Sequence, residues 1–193
     1  MELTELISVV KAFVEKIKFV SRVEVVGSYK DRRADEYSDV DLLVDVKEKT
    51  ADKALLAVTA ILKEEFKPLW SDFAKSLAPE KFLVSMYFET ENPFRYFDIG
   101  ISNRDMISYD PGEFKNDKYT HLMKLWIMNY KYYLRGSDNF KDRYLRMMRK
   151  AGIDNYNGEI DGFRKTLELL SKQESVNKIY LKKLHDLLDS ERV

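Results

Sequence analysis

The stretch Val23-Glu24-Val25-Val26-Gly27-Ser28, followed after ten intervening residues by Asp39-Val40-Asp41-Leu42-Leu43-Val44, decides the fold of this chain. Each run is short and rich in aliphatic and β-branched residues, which predicts two β-strands. The first run ends in Gly-Ser and the second begins with two acids. The polar residues therefore lie at strand ends, where side chains can reach a ligand.

The two acids of the second run are expected to act together. Successive side chains of a strand point to opposite faces, so Asp39 and Asp41 share one face and Val40 lies on the other. Mg²⁺ prefers oxygen ligands and is usually held by one or two carboxylates together with substrate phosphates. The spacing therefore indicates a divalent metal site. Asp45 shares the face by parity, but we expect it to be a solvated strand terminus.

The Gly27-Ser28 pair favours phosphate binding beside that site. Glycine permits a tight turn and has no Cβ to block an approaching phosphate. Ser28 offers a hydroxyl and a backbone N–H, and a helical turn after it would add the attraction of its N-terminal amides. Taken alone, Gly-Ser is usually a turn and Asp-x-Asp a solvated strand edge. Their combination, with strands on both sides, favours a functional site.

A hydrophobic strand, Gly27-Ser28, a spacer and the run Ser38-Asp39-Val40-Asp41-Leu42 together resemble the DNA polymerase β-like nucleotidyltransferase superfamily. The run looks like the form found in its small-molecule (aminoglycoside- and lincosamide-type) and minimal branches. The resemblance implies that Asp39 and Asp41 are catalytic and bind metal, and that Gly27, Ser28 and Ser38 bind the nucleotide. It also implies a third catalytic, metal-binding carboxylate on a later strand, for which Asp98 is the candidate.

The implied reaction transfers a nucleoside monophosphate from a nucleoside triphosphate, expected to be ATP, to a hydroxyl of a small-molecule acceptor, and releases pyrophosphate. Two Mg²⁺ ions would organise it, bridged by Asp39 and Asp41. Asp98 would complete the second metal site and accept the proton of the acceptor. Two alternatives stay open: transfer to a protein acceptor, and an antitoxin-like nucleotide-binding partner protein with little or no turnover.

The order of predicted elements indicates an α/β (α+β) fold, with a mixed sheet and flanking helices, over residues 1–112. The resemblance implies that this segment is a nucleotidyltransferase domain. Helices are expected at Leu3–Val20 and Thr50–Phe66, and a hairpin is expected from Lys81–Glu89 and Tyr96–Ser102. The turn signal Asp110-Pro111-Gly112 then marks a domain boundary. Residues 113–193 are expected to form a helical bundle. Its predicted helices are Asp117–Leu134, Phe140–Ala151, Glu159–Ser171 and Ser175–Ser190.

Composition narrows the choice of partners and compartment. Lys plus Arg and Asp plus Glu each number 33, so the overall charge favours neither a nucleic acid nor a membrane as partner. Residues 114–150 nevertheless hold ten basic residues against three acids, which fits either a solvated face or a phosphate-binding surface. The absence of cysteine excludes disulfides and thiolate metal sites. The N-terminal sequence lacks a basic leader, so we expect a cytoplasmic protein; a homodimer stays an open alternative.

Overall fold

The computed structural model describes residues 2–102 and 110–190. The chain divides into two compact units, Met1–Lys115 and Asn116–Val193. Among the described residues no helix is both long enough and apolar enough to cross a membrane.

In its described residues, the first unit contains a five-stranded sheet and three α-helices. Its strands are β1 (Val20–Val26), β2 (Val40–Val46), β3 (Trp70–Phe73), β4 (Phe82–Tyr87) and β5 (Phe97–Ile101). Its helices are α1 (Leu3–Glu15), α2 (Gly27–Lys30) and α3 (Ala51–Phe66), with short 3₁₀ turns at Lys75–Leu77 and Pro111–Glu113. The left-handed Lys67 and then Pro68 end α3, as Pro68 predicts.

The sheet is mixed, as the sequence predicts. Its strand order is β1-β2-β5-β4-β3. Strands β2 and β5 run parallel, whereas the other three neighbouring pairs are antiparallel. The antiparallel pairing of β4 with β5 confirms the predicted hairpin. The predicted α/β architecture, a mixed sheet with flanking helices, is therefore confirmed for this unit.

One face of the sheet is apolar and forms the core. In β2, Val40, Leu42, Val44 and Val46 are buried, while the alternate residues are only half-buried. The buried strand residues form one hydrophobic cluster with side chains of α1 and α3, including Val10, Val14, Ala54, Val58 and Leu62. Burying each valine or leucine of this cluster contributes about 1.5–3 kcal/mol. The polar residues of β2 are thereby assigned to the opposite face.

The sequence prediction was wrong at two places in this unit. Helix α1 ends at Glu15, and Phe19 and Val20 pair with the end of β2, where Lys47 N–H donates to the Phe19 carbonyl at 2.9 Å. Strand pairing therefore overrides the helical periodicity of that segment. Strand β3 was not predicted, because it has only four residues and two of them, Ser71 and Asp72, are polar.

The second unit is helical, as predicted. Its helices are α4 (Lys118–Leu134), α5 (Phe140–Ala151), α6 (Glu159–Ser171) and α7 (Lys178–Ser190). Trp126 and Tyr130 are fully buried, their rings stack at 4.8 Å, and Trp126 Nε1 donates to the Phe163 carbonyl at 2.9 Å. These aromatic residues are therefore core. Helix α7 begins three residues later than predicted, at Lys178.

Candidate functional site

The parallel pairing of β2 with β5 brings two of the predicted acids side by side. Asp41 and Asp98 are direct register partners, so their side chains lie on the same face of neighbouring strands. Both are half-buried. Asp39 lies just before β2, two residues from Asp41, and Val40 between them is fully buried in the core. The N-terminal ends of β2 and β5 therefore carry the predicted carboxylates on the polar face of the sheet.

Gly27 lies against Asp41. It has a φ of +67°, a conformation that favours glycine. A Cβ added to it would lie only 2.4 Å from Asp41 Oδ2. The sequence predicted a glycine here to admit a phosphate, but the neighbour that requires it in the structure is the carboxylate itself. The end of β1 is thus fitted closely to the acidic site.

Ser28 follows in the single helical turn α2. The turn is closed by the Asp31 N–H, which donates to the Gly27 carbonyl at 3.1 Å, and by the Arg33 N–H, which donates to the Ser28 carbonyl at 2.9 Å. The helical turn considered from the sequence is therefore present. Ser28 is half-buried beside Gly27, and a contact between it and phosphate stays a prediction.

Ser38 holds the turn that leads into Asp39. Its hydroxyl donates to Asp35 Oδ1 at 2.7 Å and accepts from the Asp35 N–H at 3.0 Å. Its side chain is almost completely buried. The structure thus gives Ser38 a local part in fixing the chain before Asp39, and its predicted contact with the nucleotide stays a prediction.

Asp98 has a partner that the sequence did not reveal. The Ser85 hydroxyl on β4 donates to Asp98 Oδ1, and Ser85 and Asp98 are register partners. Asp72 on β3 is in turn the register partner of Ser85. A polar row, Asp72-Ser85-Asp98-Asp41, therefore crosses four strands on one face. The signal in the sequence is a serine inside the apolar run of β4, and only the pairing of the strands shows its meaning.

Asp45 corrects one expectation. It is not a solvated strand terminus: it lies inside β2, is half-buried, and its Oδ1 accepts a hydrogen bond from the Ser102 hydroxyl. Its register partner on β1 is Arg22, near the end of β2 opposite to Asp41. The Ser102–Asp45 pair is chemically equivalent to the Ser85–Asp98 pair but lies outside the polar row.

Charged groups of both signs surround Tyr29. Burial is the main reason that the pKa of Tyr29 is raised; Asp39 and Asp35 raise that pKa further, and the Arg95 guanidinium opposes them. Asp39 and Arg95 therefore both lie close enough to act on the same hydroxyl. The Arg95 Nε is buried and has no hydrogen-bond partner among the described residues. Arg95 is a candidate site residue that sequence reasoning missed, since it precedes β5 in an irregular segment.

The donor set fits a divalent cation held jointly with a phosphate ligand. Within residues 2–102 and 110–190, no group of three or more His, Asp or Glu side chains is arranged to hold a metal ion alone. Mg²⁺ typically binds one or two protein carboxylates and completes its shell with waters and substrate phosphates. Paired carboxylates on adjacent strands, beside the close-fitting Gly27, match a Mg²⁺ ion that is shared between protein carboxylates and a substrate phosphate.

A Gly27→Ala substitution tests the close fit between Gly27 and Asp41. An alanine at positive φ costs about 1–2 kcal/mol in backbone strain, and its Cβ would also have to displace the Asp41 carboxylate. Gly136→Ala is the control, because Gly136 has a φ of +58° and nothing within 4 Å of an added Cβ. We expect Gly27→Ala to lower the free energy of unfolding of its unit by more than Gly136→Ala lowers that of its own. Equal losses in denaturant titrations would contradict the fit.

Parts of this chain are similar to known proteins. Two solved structures are similar in part: the polymerase core of TRAMP, an RNA surveillance complex (13% identity, TM-score 0.44), and the GLD-2/RNP-8 complex (15% identity, TM-score 0.42). The alignments cover 86% and 89% of this chain but only 55% and 56% of those chains, so this chain spans just over half their length. No curated protein sequence matches significantly. A family model described as a nucleotidyltransferase domain matches residues 6–99, the segment that contains Gly27, Asp39, Asp41 and Asp98. Residues 6–99 therefore form a nucleotidyltransferase domain of the DNA polymerase β-like superfamily.

Proposed function

We propose that this protein transfers a nucleoside monophosphate from a nucleoside triphosphate, with ATP as the expected donor, to an acceptor hydroxyl. The observation that carries the proposal is the Asp41–Asp98 register pair beside the Gly27-Ser28 turn, inside the matched nucleotidyltransferase domain. In the reaction the acceptor oxygen forms a bond to the α-phosphorus. The bond from that phosphorus to the bridging oxygen breaks, and pyrophosphate leaves.

Each residue of the site has a distinct task in this proposal. The metal ligands would be Asp39, Asp41 and Asp98, which would hold Mg²⁺, expected to be two ions. When bound, the metal would neutralise phosphate charge and lower the pKa of the acceptor hydroxyl. Asp98 would also take the proton of that hydroxyl. Ser28 would donate to phosphate oxygens from the turn after β1. Because Gly27 has no side chain, Asp41 can keep its carboxylate against this turn.

Arg95 is the positively charged residue of the proposed site, where a cation would bind the phosphates of the nucleotide. A guanidinium donates several hydrogen bonds in a fixed planar geometry that suits phosphate oxygens. Arg95 acts electrostatically on the same tyrosine as Asp39, and its buried Nε has no partner among the described residues. We therefore assign Arg95 to the binding of the triphosphate.

A small molecule stays our first candidate for the acceptor, but one observation favours a second candidate. Helix α5 carries five exposed basic residues and one acid. Among the described residues none of the five pairs with a carboxylate; Arg143 lies over the Tyr132 ring at 4.9 Å, and Lys150 contacts His121 at 3.1 Å. The basic residues are Lys141, Arg143, Arg146, Arg149 and Lys150. Such a surface suits a polyanion, so the second candidate is transfer to the end of a single-stranded RNA.

Pyrophosphate release tests the function. Wild-type protein with Mg²⁺ and each nucleoside triphosphate should release pyrophosphate in the presence of an acceptor from a panel of hydroxyl-bearing small molecules and single-stranded RNA. Asp98→Asn should lower the rate by about 10²–10⁴, because it removes charge stabilisation and the proton acceptor. Asp45→Asn is the matched control and should leave the rate unchanged. No release with any acceptor, or full activity of Asp98→Asn, would contradict the proposal; release with RNA alone would select the second candidate.

Arg95→Gln tests the assignment of the triphosphate cation. A hydrogen bond to a charged group contributes about 1.5–3 kcal/mol, so we expect about 10- to 100-fold weaker binding of the nucleoside triphosphate. Arg22→Gln serves as control, since Arg22 is exposed and pairs with Glu24. Titration of a fluorescent ATP analogue measures both. Equal affinity of Arg95→Gln and wild type would remove Arg95 from the site and leave the carboxylates as its only assigned charged groups.

A further inference from the structure

Ser85 is a buried hydroxyl in an apolar strand. All six residues of β4 are buried, and Ser85 lies between Val84 and Met86 with no exposed surface. Placing a hydroxyl in such surroundings costs free energy unless it is hydrogen-bonded. An alanine would fill this position in the strand without that cost, so the hydroxyl is expected to serve a specific neighbour.

That neighbour is Asp98. Ser85 has one acidic register partner on each side, Asp98 on β5 and Asp72 on β3. A hydroxyl has a single proton to donate, and Ser85 donates it to Asp98 Oδ1. The bond therefore joins a buried residue of β4 to the carboxylate that is proposed to take the proton of the acceptor hydroxyl.

We propose that Ser85 is a positioning residue that fixes the orientation of the Asp98 carboxylate for metal and acceptor. The terminal torsion of an aspartate is broad and leaves its carboxylate free to rotate. A hydrogen bond from a fully buried strand residue restricts that rotation and thereby sets the direction of both oxygens. This inference rests on the proposed function, because it concerns the same carboxylate.

The chain contains its own control for this inference. Ser102 donates to Asp45 Oδ1 in the same sheet, so Ser102→Ala removes a serine–aspartate bond of the same kind. Neither Ser102 nor Asp45 belongs to the polar row. If such bonds only stabilised the sheet, the folded Ser85→Ala and Ser102→Ala variants would bind metal equally well.

The test measures the affinity of the protein for Mn²⁺ by electron paramagnetic resonance. An ATP analogue with a methylene group between the α- and β-phosphorus is present. We compare wild type, Ser85→Ala, Ser85→Cys, Ser102→Ala and Asp98→Asn. Ser85→Cys fills the position with a somewhat larger side chain and replaces the hydroxyl with a weak donor, so it carries the test if the alanine variant does not fold. Loss of a bond that orients a metal ligand typically weakens metal binding about 10- to 100-fold. We expect that loss in both Ser85 variants and wild-type affinity in Ser102→Ala.

The outcomes separate this inference from the proposed function. If Asp98→Asn loses Mn²⁺ while the folded Ser85 variants bind it like wild type, the metal site stands and the role of Ser85 is overturned. If Ser102→Ala loses Mn²⁺ as strongly as Ser85→Ala, the effect is general to the sheet and the role of Ser85 is again overturned. If wild type binds no Mn²⁺ with the analogue, the proposed function fails, and the role of Ser85 fails with it.

Discussion

The parallel pairing of β2 with β5 is the constraint on which the site depends. The register that places Asp41 opposite Asp98 also places Val40, Leu42 and Val44 on the buried face. A shift of one residue would turn every side chain of β2 to the other face, exposing its aliphatic residues and burying its acids. The hydrophobic core therefore fixes the acids where they are, and the geometry of the site follows from the burial of its neighbours.

Two neighbouring elements refine what the register sets. Gly27, at the end of β1, leaves room for the Asp41 carboxylate, because any Cβ there would collide with it. Ser85, on the other side of β5, holds Asp98 by a hydrogen bond. Each carboxylate of the pair is thus contacted by a different adjoining strand or its end. Groups held on strands in this way are positioned more precisely than groups on loops.

The sequence alone predicted the strands and helices that are determined by local residue patterns. Aliphatic alternation was enough for β2, the order of the predicted elements for the mixed sheet, and helical periodicity for α4 to α6, whereas the nucleotidyltransferase fold came from the resemblance to that superfamily. It could not predict contacts that depend on which strands pair. Ser85 lies next to Asp98 only through the β4–β5 register, and Asp45 is linked to Ser102 only through the folded sheet. Arg95 was missed for the same reason, since its neighbours lie in a distant part of the sequence.

Calorimetry of a non-hydrolysable ATP analogue tests the central claim, that these carboxylates form a metal-dependent nucleotide site. The wild-type protein is titrated with and without Mg²⁺ and compared with the double variant Asp39→Asn, Asp41→Asn, which keeps the side-chain shapes and removes two charges. The account predicts that the wild type binds the analogue only with Mg²⁺ and that the double variant binds none. Binding of equal strength by both proteins, or no binding by the wild type under either condition, would contradict it.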